Sequence, residues 1–238
     1  MMLPLLILSI ALASVSSPIG MSRQALVVKT TSWTSSQGLL QRYERSSGTA
    51  PWRSAGPTFP VVVGRNGMGW GVGLHNQNGY GTEKREGDGR APAGIFKLSA
   101  VFGYAPPGAY PWLKMPYYEA YGALKCIDDP RSRHYNRLVD AGSVAADWSS
   151  CEDMRRADEQ YRRGIVVEHN PAPAIPGRGS CIFIHIWKNP ESGTAGCTTM
   201  SPENLEKILR WLDPAANPVL IQLPETAYRQ LRSAWELP

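Results

Sequence analysis

Short apolar runs, each a few residues long and broken by Gly, Pro or Asn, dominate this chain and predict strands rather than long helices. The first is the β-branched run Ala25 to Lys29, and Leu39 to Glu44 alternates weakly enough to pair with it. Phe59 to Val63 predicts a further strand, followed by Arg65-Asn66-Gly67, a tight-turn signal because Asn-Gly tolerates positive φ. Ile95 to Leu98, Ile165 to His169 and Val219 to Leu223 predict three more. In Cys181 to Trp187, positions 181, 183, 185 and 187 fall on one face and the isoleucines 182, 184 and 186 on the other.

Helical spacing is rarer. Ser201-Pro202-Glu203 is a cap, a first-turn proline and an acid at the positive dipole end. It predicts a helix to about Leu212 that buries Leu205, Ile208, Leu209 and Leu212. Met154 and Tyr161 at helical spacing predict another helix over Ser149 to Arg163, ended by Gly164, and a terminal one is expected over Glu225 to Glu236. Residues 103–117 and 128–140 read as irregular loops, the first rich in aromatics (Tyr104, Tyr110, Trp112, Tyr117) that would wall a groove. The expectation is a mainly β fold of the α+β kind with a few peripheral helices.

Composition narrows this little: 238 residues, 42% hydrophobic, suit one domain with one sizeable core. The net charge of +5 contains no cluster of five Lys and Arg, so it suits an acidic polymer such as a cell wall but argues against nucleic acid. Residues 1–17 read as an export signal, with an apolar run Leu3 to Leu12 and small residues for cleavage near Ala13 to Ser17. The catalytic domain is then expected over 22–238, exported to the periplasm or envelope, with no stable membrane insertion once the signal is removed. The glycines of 64–73 spell no phosphate-binding loop.

Candidate chemistry concentrates in residues 180–200. His185 lies on the apolar run, and Cys197 follows in the small-residue turn Thr194-Ala195-Gly196-Cys197-Thr198-Thr199. The thiolate is cysteine's reactive form and needs a base or positive dipole beside it. His185 supplies the base if the turn folds back along the strand, the following helix supplies the dipole, and the Gly196 and Cys197 amides are available to an oxyanion. Of the other cysteines, Cys126 and Cys151 share a loop-rich region and are candidates to bridge, while Cys181 is expected to be buried and inert. Cys181, His185 and Cys197 lack a fourth zinc ligand, so no metal is expected. His75 is expected to be exposed.

Together, the His185 strand, the Thr194-Ala-Gly-Cys197 turn and the earlier Gly87-Asp88-Gly89-Arg90-Ala91-Pro92-Ala93-Gly94-Ile95-Phe96 loop resemble the L,D-transpeptidase catalytic domain (YkuD-like), over about residues 25–223. The resemblance implies a cysteine nucleophile, Cys197, that attacks the carbonyl of an L-centre joined to a terminal D-residue in peptidoglycan stem peptides. His185 would take its proton, Gly196 would help hold the oxyanion, and a second stem's amine, or water, would resolve the thioester, with no cofactor. Thr194, Thr198, Thr199, His169 and His134 are the candidate substrate contacts. The chain departs from the pattern at Ala195, where many members have His, and at Thr199, where many have Arg or Asn; Arg178, Arg133 or Arg137 are candidates to replace that clamp. Rival readings are an L,D-carboxypeptidase or endopeptidase, and a non-catalytic wall-binding module.

Overall fold

A computed structural model describes residues 17–76 and 81–238; the stretch expected to be an export signal, apart from Ser17, lies outside the described residues. The strands are β1 (Gln24–Thr30), β2 (Gln37–Glu44), β3 (Arg53–Ser54), β4 (Phe59–Val62), β5 (Met68–Trp70), β6 (Ala91–Gly103) and β7 (Tyr117–Glu119). They continue with β8 (Leu124–Ile127), β9 (Leu138–Asp140), β10 (Cys151–Asp153), β11 (Arg163–Val167), β12 (Phe183–Ile186), β13 (Thr198–Met200) and β14 (Val219–Pro224). Helices α1 (Pro202–Trp211) and α2 (Glu225–Leu231) complete the elements.

Eight strands close into a mixed barrel in the order β1-β14-β6-β11-β12-β13-β4-β2, with β2 pairing back onto β1. Parallel pairing joins β1 to β14 and β12 to β13; the other barrel pairs are antiparallel. Closure leaves the long β6 no free edge. A separate three-stranded sheet, β10-β8-β9, lies over one side.

That second sheet explains why β12 is buried on both faces. Ile182, Ile184 and Ile186 pack into the barrel core with Phe96 and Ile221, while Cys181 and Phe183 join a second core with Phe102, Met154, Tyr161 and Cys197. The two-residue alternation read along 181–187 is thus a division between two cores rather than between core and solvent.

The capped helix forms as expected: Ser201 Oγ accepts from Asn204 N–H at 3.3 Å, and Pro202 opens the first turn. The terminal helix stops at Leu231 rather than Glu236. The helix expected over Ser149 to Arg163 does not form. Residues 151–153 instead pair with β8, and Glu159 turns the chain at φ 60°. Met154 and Tyr161 are still buried, so their spacing reported burial and not helicity. Residues 17–21 pack ahead of the boundary expected at 22: Ile19 enters the core and Arg45 holds the Gly20 and Ser22 carbonyls. No helix among the described residues is long and apolar enough to cross a membrane.

The disulfide joins Cys126 to Cys181, not to Cys151. Register explains the difference. Cys126 lies opposite Glu152, and Cys151 lies opposite Ile127, so neighbouring side chains on β10 point to opposite faces and Cys151 stays free. Cys181, at φ 53° just before β12, turns its sulfur toward β8. The bond closes a 55-residue separation and staples the small sheet to the barrel. Loop-closure entropy puts its contribution at about 4 kcal/mol. The Cys126→Ala, Cys181→Ala double variant should therefore unfold at markedly lower urea, with a loss of 2–5 kcal/mol by about that reckoning; an unchanged midpoint would show that the staple constrains nothing.

Candidate active site

The turn bearing Cys197 is positioned by its first residue. Thr194 N–H donates to the Val63 carbonyl at 3.0 Å, and its own carbonyl accepts from Arg65 N–H at 2.8 Å, tying the turn to the end of β4. Gly193 lets the two backbones meet, since a Cβ there would stand 2.5 Å from Arg65 Cα. Thr194 Oγ1 donates to the Cys197 carbonyl at 2.6 Å and accepts from Gly196 N–H at 3.1 Å. Gly196's amide is thereby spent within the turn.

The Gly87–Phe96 stretch forms the wall behind this turn. Asp88 accepts from Lys84 Nζ (2.6 Å), Arg85 N–H (2.8 Å) and Arg90 N–H (2.9 Å), which folds the glycine loop around a buried ion pair. A Cβ on Gly196 would meet the Arg90 carbonyl at 3.1 Å, so loop and turn pack backbone against backbone.

Parallel pairing of β12 and β13 brings histidine and cysteine together: His185 is level with Thr199, and Cys197 lies one step before β13 beside Phe183. Phe183 N–H donates to Cys197 Sγ at 3.4 Å, and Sγ donates to the Cys181 carbonyl at 3.6 Å. His185 and Cys197 line one cleft of about 220 Å³ with Glu152, Arg156, Tyr161 and Lys188. His185 Nδ1–H donates to the Ile186 carbonyl at 2.8 Å, which leaves Nε2 as the basic nitrogen. Its ring packs edge-on to Tyr161, centroids 4.7 Å apart.

The electrostatics describe a resting thiol. Burial pushes Cys197 up to about 12, with the Glu152 charge adding to that and the Phe183 N–H, Tyr161 and Lys84 opposing it. Burial also holds His185 down to about 4. The helix dipole expected to lower the thiol does not reach it: strand β13 separates Cys197 from α1, and the dipole's influence fades within a turn.

The remaining expected residues scatter. Thr194 and Thr199 line the cleft. Thr198 is buried and donates to Gln222 Oε1 at 2.6 Å, bracing β13 against β14. His169 is 1% exposed, accepts from Val72 N–H and contacts the Arg178 carbonyl, in a separate cleft beside the disulfide. His134 sits on a loop of the small sheet, edge-on to Trp148. His75 is buried, not exposed: Ile95 N–H on β6 donates to its Nδ1 at 3.1 Å. Arg178 pairs with Glu83 and Arg133 with Asp147, while Arg137 lines the His169 cleft; the cations that line the cleft with the cysteine are Arg156 and Lys188. Glu152, Tyr161 and Arg156 were hidden in sequence inside the expected helix. Among the described residues, no three His, Cys, Asp or Glu are grouped to hold a metal.

A family model described as the L,D-transpeptidase catalytic domain (YkuD) matches residues 34–221, from the loop before β2 into β14. No curated protein and no solved structure matches the chain.

Proposed function

We propose that this chain, which belongs to the L,D-transpeptidase catalytic-domain family, is a peptidoglycan acyl-transfer enzyme with Cys197 as nucleophile. The sulfur attacks the carbonyl carbon of the L-centre before a terminal D-residue. A C–S bond forms, the C–N bond breaks, and the D-residue departs as its amine. His185, its tautomer set by Ile186, offers Nε2 to the sulfur's proton. The Cys197 amide holds the oxyanion, because Gly196 can join only if its bond to Thr194 gives way. Thr194 and Thr199 contact the stem peptide; His169 and His134 would touch only parts of the substrate beyond the cleft. An amine from a second stem then attacks the thioester, forming the cross-link and releasing the sulfur.

The observation that carries this reading is the convergence of Cys197 and His185 on one cleft through β12–β13 pairing. The Cys126–Cys181 disulfide supports work outside the cytoplasm, where such bonds persist. Incubation with purified wall tetrapeptides, read by mass spectrometry, tests it. Cross-linked dimers are expected. Loss of the terminal D-residue without dimers would make the protein a carboxypeptidase, and unaltered peptide that nonetheless co-sediments with the protein would make it a binding module.

A further inference from the structure

One carboxyl in the cleft has no cation beside it. Glu152, on β10 of the small sheet, lines the cleft with Cys197 and His185. Tyr161 O–H donates to its Oε2 at 2.6 Å, and among the described residues the carboxyl has no other hydrogen-bond partner and no ion pair. Arg156 lines the same cleft, but its guanidinium donates to Asp158 through Nε at 2.9 Å and through Nη2, so its charge is spent there. A carboxylate held away from water calls for a cation. Its place near the nucleophile is fixed: Glu152 lies opposite Cys126 on β8, Cys126 is bonded to Cys181, and the Cys181 carbonyl accepts from Cys197 Sγ at 3.6 Å. Tyr161, set edge-on to Phe102 and Phe183 with centroids 5.6 Å from each, holds the carboxyl in turn. An amine that reaches the sulfur through a cleft of about 220 Å³ therefore comes within electrostatic range of Glu152.

We propose that Glu152 receives the ammonium group of the second stem peptide, and so selects an amine over water as the group that resolves the thioester. The proposal rests on the reading of Cys197 as nucleophile. Stem amines are protonated at neutral pH and arrive as cations, whereas water brings no charge for the carboxylate to hold. Once bound, the ammonium passes one proton to the Glu152 carboxylate. The nitrogen's freed electron pair attacks the thioester carbon, the C–N bond forms and the C–S bond breaks. The nitrogen's second proton passes through His185 Nε2 to the sulfur, which restores the thiol, and Glu152 then gives its proton to water. His185 keeps the role of serving Cys197, and Glu152 serves the incoming amine.

The carboxyl's proton affinity agrees with that placement. Burial raises Glu152 to about 7, with the Asp128 and Glu86 charges adding to that and Tyr161 and Arg156 opposing it. An ammonium beside it offsets the cost of its charged form, and a carboxyl near 7 takes a proton from that ammonium more readily than an ordinary one.

The first test needs no wall substrate and no variant. Nα-acetyl-lysine amide, an ammonium without a carboxylate, and its neutral counterpart Nα-acetyl-norleucine amide would each be titrated into ¹⁵N-labelled protein. The lysine probe should shift the Glu152, Gly193 and Ala195 amides saturably, and the norleucine probe should bind at least about 10-fold more weakly. Glu152→Gln keeps an oxygen for the Tyr161 hydroxyl but not the charge, and should lose that preference; Glu152→Asp should regain part of it. Circular dichroism melts would establish that each variant folds. Equal binding of the two probes by the native protein, or an undiminished preference in Glu152→Gln, would overturn the proposal. With wall tetrapeptide as donor and acceptor, the ratio of cross-linked dimer to hydrolysed product should fall about 10-fold in Glu152→Gln, through a raised KM for the acceptor; an unchanged ratio would also overturn it. If the native protein prefers the ammonium probe but releases no D-residue from tetrapeptide, the transpeptidase reading fails and the ammonium site stands. Native dimers formed without a preference for the probe would leave that reading and remove Glu152 from it.

Discussion

Replacing Cys197 by serine will leave a folded protein whose turnover of wall tetrapeptide falls by at least about 10⁴-fold, and alanine will do the same. Serine keeps a group that accepts from Phe183 N–H and donates to the Cys181 carbonyl, so its melting temperature should stay near the parent's. Its hydroxyl does not ionise in a buried cleft, and an oxygen without its proton acceptor perfectly matched is a poor nucleophile there. Alanine removes the acceptor as well and leaves the Phe183 N–H buried without a partner, a loss of about 1–3 kcal/mol. For a chain of 238 residues that is a fall of roughly 2–4 °C in melting temperature per kcal/mol. The two variants thus separate chemistry from folding: both are inactive, and only one melts early. Product formation by either above background, measured by mass spectrometry, would remove Cys197 from the mechanism.

The parts of this site that could be read in sequence are those set by local rules. Ser201 and Pro202 start a helix through contacts within four residues, and Ile182, Ile184 and Ile186 share a face whatever covers it. The order of His185 and Cys197 also carries over, because a parallel pair of strands one short connection apart brings them side by side. What could not be read depends on register between distant strands. Cys126 finds Cys181 because β10 opposes β8 one residue out of phase with the expected Cys126–Cys151 bridge. Met154 and Tyr161 alternate with charged residues much as a helix would, and only the pairing of 151–153 with β8 shows that the segment is extended and that Glu152 faces the cleft. The dipole expected at Cys197 was lost to three residues, Thr198 to Met200, that spend themselves on a strand before the helix can start. His75 was misplaced for a related reason: its neighbours are polar and glycine-rich, but its partner Ile95 is twenty positions away.

Gly94→Ala is expected to be the most damaging single substitution outside the nucleophile, lowering the melting temperature by roughly 10–20 °C or preventing recovery of folded protein. Gly94 has φ 140°, a conformation that L side chains rarely adopt, at the point where β6 passes from pairing with β5 to pairing with β14. The strain alone is of order 1–3 kcal/mol. The added methyl would also stand 1.9 Å from His75 Cε1, a hard clash with the ring. His75 has nowhere to retreat: it is packed against Phe96 at 5.8 Å and Trp235 at 5.3 Å, and moving it breaks the bond from Ile95 N–H. Overpacking of that kind adds about 1–3 kcal/mol, and the sum is a large share of the roughly 5–15 kcal/mol that holds a domain folded. Gly87→Ala is the control. It too has positive φ, 69°, but a Cβ there meets nothing within 4 Å, so only the backbone preference of about 1–2 kcal/mol is at stake. Thermal melts of the two variants side by side decide the matter. Curves within about 3 °C of each other would mean that the ring at His75 yields easily, and that the glycine before Ile95-Phe96 is a backbone convenience and not a steric requirement of the barrel.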